Sequence, residues 1–251
     1  MANITLNQLA YDIMELYRQN YKDTENLDIR QVKYWIQSVR ATILAQSADK
    51  HVFDTPDDSN TQYYHKIPVQ SIDSSGHENY PSNRYVLKTT VEIPNAIVNS
   101  DGLGMFTRIG SPDILVPKFN FITYERSIWS GNGKYNNKYI YAYYNNGYIW
   151  ITSKNPTVRF VKYISIQGVF ANPLEFEKLI RTLDPTIPAY NDLIDSYPIS
   201  MEIATMIKSM VISQNIPIAI TGRTDKTVTV EENSDNPQQP YKDNGPSVQE
   251  R

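Results

Sequence analysis

The sequence predicts an α+β chain: a helical bundle built from N- and C-terminal helices, an inserted antiparallel β domain, and an extended C-terminal tail. Three observations predict it. Apolar residues recur at helical spacing before residue 50 and again after 171. Between these stretches the pattern changes to short alternating runs punctuated by turn residues. Beyond residue 220 the only aliphatic residues are Val228, Val230 and Val248. The expected divisions are residues 1–50 for an N-terminal helical pair, 51–170 for the β domain, 171–220 for helices completing the bundle, and 221–251 for an inter-subunit arm.

In the first zone, Thr5 and Gln8 have the spacing of a capping box, with Ile4 and Leu9 as its hydrophobic staple. Leu6, Leu9, Ala10, Ile13, Leu16 and Tyr17 give one apolar face. Residues 21–26 form the connector. Asp28 with Gln31 repeats the cap for a second helix, whose stripe is Ile29, Val32, Ile36, Val39 and Ile43. That spacing suits helix-to-helix packing.

The β zone is clearest at a hairpin. The run Tyr139 to Tyr144 enters Asn146-Gly147, the preferred type I′ turn, and Tyr148 to Thr152 returns. Pairing outward from the turn sets Tyr144 opposite Ile149 and Tyr143 opposite Trp150. One face then holds Ile140, Ala142, Tyr144, Ile149 and Ile151, which reads as core. The other holds Tyr139, Tyr141, Tyr143 and Trp150, an aromatic stripe too large to leave in water without a reason. Packing under a loop, a subunit interface and sugar stacking are the three readings of that stripe. Tyr85 to Ile93 reads as a strand stopped by Pro94, and Thr157 to Phe170 as a further strand.

In the third zone, Asn172-Pro173-x-Glu175 marks a helix start, followed by Leu174, Leu179, Ile180 and Leu183. Pro185, Pro188 and Pro198 break the chain into short pieces. Ser200 caps the next helix, with Ile203, Met206, Ile207, Met210 and Val211 on its apolar face. One-sided helices from both ends of the chain bury their stripes by packing together. The packing residues expected of this bundle are Ile29, Val32, Ile36 and Val39 with Ile203, Met206, Ile207 and Met210.

The tail cannot bury enough apolar surface to offset roughly 1–2 kcal/mol per residue of backbone ordering. Either a neighbouring subunit holds it or it folds back on its own domain. Thr227, Val228, Thr229 and Val230 form an alternating run that fits a neighbour's sheet edge or a solvated linker equally well.

A formal charge of −3 argues against a nucleic-acid-binding domain, which would present a basic face. Without cysteine there is no disulfide or thiolate chemistry, which fits assembly in a reducing cytosol. The opening MANITLNQLAYD lacks the features of a signal peptide, and no run approaches 18 apolar residues, so no membrane partner is expected. His51, His65 and His77 lack metal-ligand spacing, and Asp54, Asp57 and Asp58 lack a calcium-loop pattern. Residues 130–135, SGNGKY, miss the phosphate-loop signature. These patterns predict no catalytic residue, cofactor or metal. Nineteen tyrosines against seven phenylalanines suit surfaces that are partly wet and partly covered, as interfaces are.

Three segments carry a family likeness: ITLNQLAYDIMELYR, LDIRQVKYWIQSVRATIL and YISIQGVFANPLEFEKL. Together they resemble ring or head-to-tail adaptor proteins of tailed bacteriophages, in particular the short-tailed crAss-like group. The likeness spans the helical ends and the junction from Gly168 to Pro173, about a third of the chain. It implies a virion structural protein at the portal vertex, assembled in the host cytoplasm. It implies a ring of twelve copies docked beneath the portal protein, with other tail proteins below and DNA passing without sequence recognition. C-terminal segments of such adaptors reach into neighbouring subunits. The competing expectation is a tail-associated carbohydrate-binding module that uses the Tyr/Trp face.

Overall fold

The computed structural model describes residues 4–20, 27–49, 58–72, 84–98, 103–113 and 115–216. The connector at 21–26, His51, His77 and the arm with Thr227, Val228, Thr229 and Val230 lie outside them.

Side-chain caps start the long helices. Thr5 Oγ1 accepts from the Gln8 amide at 3.1 Å, opening α1 (Leu6–Asn20). Asp28 Oδ1 accepts from the Arg30 amide at 2.9 Å before α2 (Ile29–Asp49). A seven-stranded sheet follows: β1 (Gln62–Ile72), β2 (Tyr85–Thr89), β3 (Phe106–Gly110), β4 (Asn120–Phe121), β5 (Tyr141–Asn145), β6 (Tyr148–Ser153) and β7 (Tyr163–Gly168). Its order is β3-β7-β1-β2-β6-β5-β4, antiparallel except for the short β4–β5 pair. A four-residue α3 (Tyr124–Ser127) precedes β5. Helices α4 (Pro173–Leu183) and α5 (Met201–Met210) end the described chain, α5 running on into a π-helical turn at Val211–Asn215.

The two edges of the sheet curl toward each other. The Phe119 amide donates to Ile109 O at 2.7 Å, and the rings of Phe106 and Phe121 lie 5.1 Å apart. Gly168 sits where β7 meets β3. A Cβ there would come within 2.9 Å of Met105 O, so only glycine fits without movement.

Apolar side chains gather in two clusters. The first joins α1, α2 and α5 through Leu9, Ile13, Val32, Ile36, Ile203 and Ile207, all nearly or fully buried. Ile97 and Val169 from the β zone enter it too. The second fills the sheet with Ile67, Ile109, Ala142, Ile149, Ile151, Ile164 and Ile166.

The hairpin has the register its turn dictates: Asn146 and Gly147 take φ of 50° and 79°, Tyr144 pairs with Ile149, and Tyr143 with Trp150. Three expectations need correction. The run after Thr157 is a 3-10 turn at Pro156–Phe160 before β7 begins at Tyr163, because Val158 turns inward and Asn155 caps the turn. β2 ends at Thr89 rather than Ile93. α4 does not complete a helical bundle. Phe176 and Ile180 turn into the sheet cluster, with Phe176 stacked on Phe170 at 4.0 Å, and only Leu174 faces the helices.

Two buried arginines hold separate parts together. Arg40, on α2, is fully buried. It donates to Pro198 O (3.0 Å), Phe170 O (2.8 Å) and Asn60 O (3.4 Å), tying α2 to the end of the sheet and to the stretch before α5. Arg84 works at the far end of the sheet.

Candidate functional site

Strand order defines two ends of the sheet. Gln62, Gly168 and Phe170 lie beside the helices through Arg40 and α4. The opposite end collects Ile72, Tyr85, Tyr141 and Ser153. Two loops are fastened there.

The first loop runs from α3 to β5. Arg84 is 5% exposed and donates to Ser127 O (2.8 Å), Ile128 O (3.1 Å) and Asn132 Oδ1 (2.9 Å). Burial lowers its pKa, and nearby Tyr141 and Tyr143 raise it in part. Gly131, at φ 73°, supplies the left-handed residue the loop needs. The Tyr141 hydroxyl donates to Asn136 O at 3.3 Å, and Ser153 Oγ to Tyr139 O at 2.9 Å. The second loop is the 3-10 turn, begun by Asn155 Oδ1 accepting from the Thr157 amide at 3.0 Å. Arg159 lies 4.9 Å over the Tyr85 ring.

These fastenings push large side chains outward. Trp129 is 77% exposed, Tyr135 83% and Phe160 81%, with Ile128 and Tyr139 more than half exposed. From Arg126 to Leu174 the chain carries six basic residues and no acidic one. In a chain of net charge −3, this stretch is basic and aromatic. Such a surface suits a partner that is acidic and partly apolar.

The expected aromatic stripe is only partly exposed. Tyr143 is 2% exposed, with the Tyr124 ring at 5.7 Å and the Trp150 ring at 6.2 Å, and Tyr141 is 9% exposed. The physical reason is α3, which Arg84 holds close to β5. Trp150 is half-buried, its Nε1 donating to Asn145 O at 3.3 Å and Lys88 lying 5.3 Å from its ring. Tyr139 alone among the four stands in solvent, and it precedes β5 rather than belonging to it.

The helical residues divide in a similar way. Val32, Ile36, Val39, Ile203 and Ile207 are buried together. Ile29 and Met210 pack at the margin of that cluster. Met206 is 53% exposed, a correction to its expected packing role. It borders a shallow groove with Ile43 and Met210, because a stripe of spacing three and four is wider than the contact α5 makes.

Among the described residues, no group of three or more His, Asp and Glu could hold a metal ion. No described helix is long and apolar enough to cross a membrane.

A family profile described as phage tail ring protein 2, of the crAss-like group, matches residues 8–236. The chain belongs to that family. No curated protein matches it. It is thus a virion structural protein, a ring component of a phage tail. The sequence reading missed Ile128, Trp129, Tyr135 and Phe160 on this ring protein. The acid-free stretch from Arg126 to Leu174 was the available signal.

Proposed function

We propose that the chain is the subunit of a ring-forming head-to-tail adaptor below the portal, joining capsid to tail and lining the channel for DNA. Its two ends differ in chemistry, and that observation carries the proposal. The helical end exposes Tyr34, Met201 and Met206, while the sheet end exposes Trp129, Tyr135 and Phe160 within an acid-free stretch. A subunit that joins two different structures needs two such faces. The helical end meets the portal protein, and the sheet end, with Tyr139 and the edge of Trp150, meets a neighbouring subunit or the next tail protein. The arm from 221 to 251, with Thr227, Val228, Thr229 and Val230, clamps a neighbour, which raises effective concentration around the closed ring. The family resemblance implies a ring of twelve, and the net negative charge suits a lumen that lets DNA slide. The carbohydrate-stacking alternative loses support because Tyr141 and Tyr143 are covered by α3.

Native mass spectrometry of the full chain, alone and with the portal protein, tests the proposal. A species at twelve times the chain mass that binds the portal is expected. A chain that stays monomeric and ignores the portal overturns it.

A further inference from the structure

We infer that the basic, aromatic end of the sheet is the dock for residues 227–241 of the C-terminal arm of a neighbouring copy. This inference rests on the ring reading and goes past it, since it names both halves of the contact.

The dock is built before any partner arrives. Arg84, Ser153 and Asn155 fix the loop carrying Ile128, Trp129, Tyr135 and Tyr139, and Asn155 also begins the turn that presents Phe160. Arg126, Lys134, Lys138 and Arg159 are exposed on the same two loops. These two loops therefore offer aromatic rings between positive charges, with Glu125 adjoining Arg126 and with Asp73 and Glu78 on the segment that joins β1 to β2.

The arm has the complementary chemistry in one segment only. Its start carries Arg223 and Lys226, and its last ten residues carry Lys242 and Arg251. Between them, Thr227 to Tyr241 contains Glu231, Glu232 and Asp235 and no basic residue. Pro237 and Pro240 follow at P-x-x-P spacing, a pattern favouring an extended backbone that docks on aromatic surfaces at low entropic cost. Acidic residues set beside such prolines match a surface where lysines and arginines flank Trp and Tyr. The described chain ends at Ile216, and a fully extended stretch from there to Glu231 could reach at most about 50 Å at roughly 3.3 Å per residue. In a closed ring, one arm and one dock per copy leave no dock empty and no arm free.

Photo-crosslinking in the full chain tests the inference. A benzophenone amino acid replaces Tyr135, and this protein is mixed with isotope-labelled wild-type copies and assembled. Native mass spectrometry is run on each mixture before irradiation. Cross-links from position 135 to residues 227–241 of a differently labelled copy are expected. The double change Lys134→Glu, Lys138→Glu should cut their yield about tenfold at low salt, and adding Glu231→Lys, Glu232→Lys should restore it. Rings that form with no cross-link to 227–241, or with same-copy cross-links only, overturn the inference and leave the ring reading standing. A mixture that never rises above monomer mass overturns the ring reading and the inference with it. Capture of duplex DNA by this end, lost in the Lys134→Glu, Lys138→Glu protein while arm cross-links are absent, overturns the inference in favour of a nucleic-acid contact.

Discussion

Arg40 and Arg84 are both buried guanidiniums that donate to backbone carbonyls, yet they hold very different things. Neither belongs to the ion pairs Lys33–Asp192 and Lys208–Asp12 seen among the described residues. Arg40 gathers carbonyls 20, 130 and 158 residues away, from three segments that meet where helices join sheet. Arg84 gathers groups of a single loop, Ser127, Ile128 and Asn132. The first arginine unites two apolar clusters, and the second shapes an exposed end. One residue type thus serves the fold in one place and the surface in the other.

If that contrast is right, Arg40→Ala has the largest effect. It leaves three carbonyls short of a donor in a dry seam and opens a cavity, at a cost of about 4 kcal/mol. Denaturant unfolding should show one cooperative transition at a much lower midpoint. A cost no greater than that of Arg84→Ala would break the comparison.

Arg84→Ala should cost less, about 2 kcal/mol, and the loss should be local. Hydrogen exchange is the sharper measurement. Amides from Tyr124 to Asn132 should exchange faster, while those of β1 and β7 keep their protection. Equal acceleration everywhere would mean that the loop and the core are one cooperative unit.

The seam can be probed by pH as well. Tyr197 lies under Arg40, whose guanidinium carbon is 5.7 Å from the ring centre, and burial pushes its pKa up to about 12 despite that positive charge. A raised phenol pKa means that the folded state holds the neutral form. The associated stability is fully present below about pH 10, the unfolded value, and is lost as pH rises through 12. The loss reaches about 2–3 kcal/mol. Tyr197→Phe removes this dependence. Among the described residues its hydroxyl has no hydrogen-bond partner, so the change should be close to neutral at pH 8. Denaturation at pH 8, 10, 11 and 12 should show the variant overtaking wild type only above pH 10. Parallel curves would mean that the seam admits water.

What the sequence revealed divides along the same line. Caps and turns are local events, so Thr5, Asn172, Ser200 and Asn146-Gly147 could be read from a few neighbouring residues. Apolar spacing located the stripes of α2 and α5 for the same reason. Partners are not local. Phe176 and Ile180 announce a one-sided helix without saying that a sheet receives it. Alternation along β5 separates two faces, but only distant Arg84 explains why α3 covers Tyr143. Arg40 reads as a polar residue beside an apolar stripe, and nothing near it in sequence foretells the carbonyls it serves. The exposed end was hidden differently: its aromatic residues belong to turns, where no period flags them, and its charge stands out only against the acidic remainder.

The smallest effect on stability should come from that end. Trp129→Ser and Phe160→Ser remove side chains that are 77% and 81% exposed, so each should change unfolding free energy by no more than about 0.5 kcal/mol. Their effect on assembly should be far larger, because aromatic anchors dominate interfaces out of proportion to their number. The double variant should fold like wild type by circular dichroism yet give a lower yield of rings. A double variant that loses stability instead would mean that these rings pack within the chain, and the difference between seam and surface would shrink to one of degree. Normal stability with normal ring yield would keep the contrast in energetics but move the subunit contact elsewhere, to the helical face around Met201 and Met206.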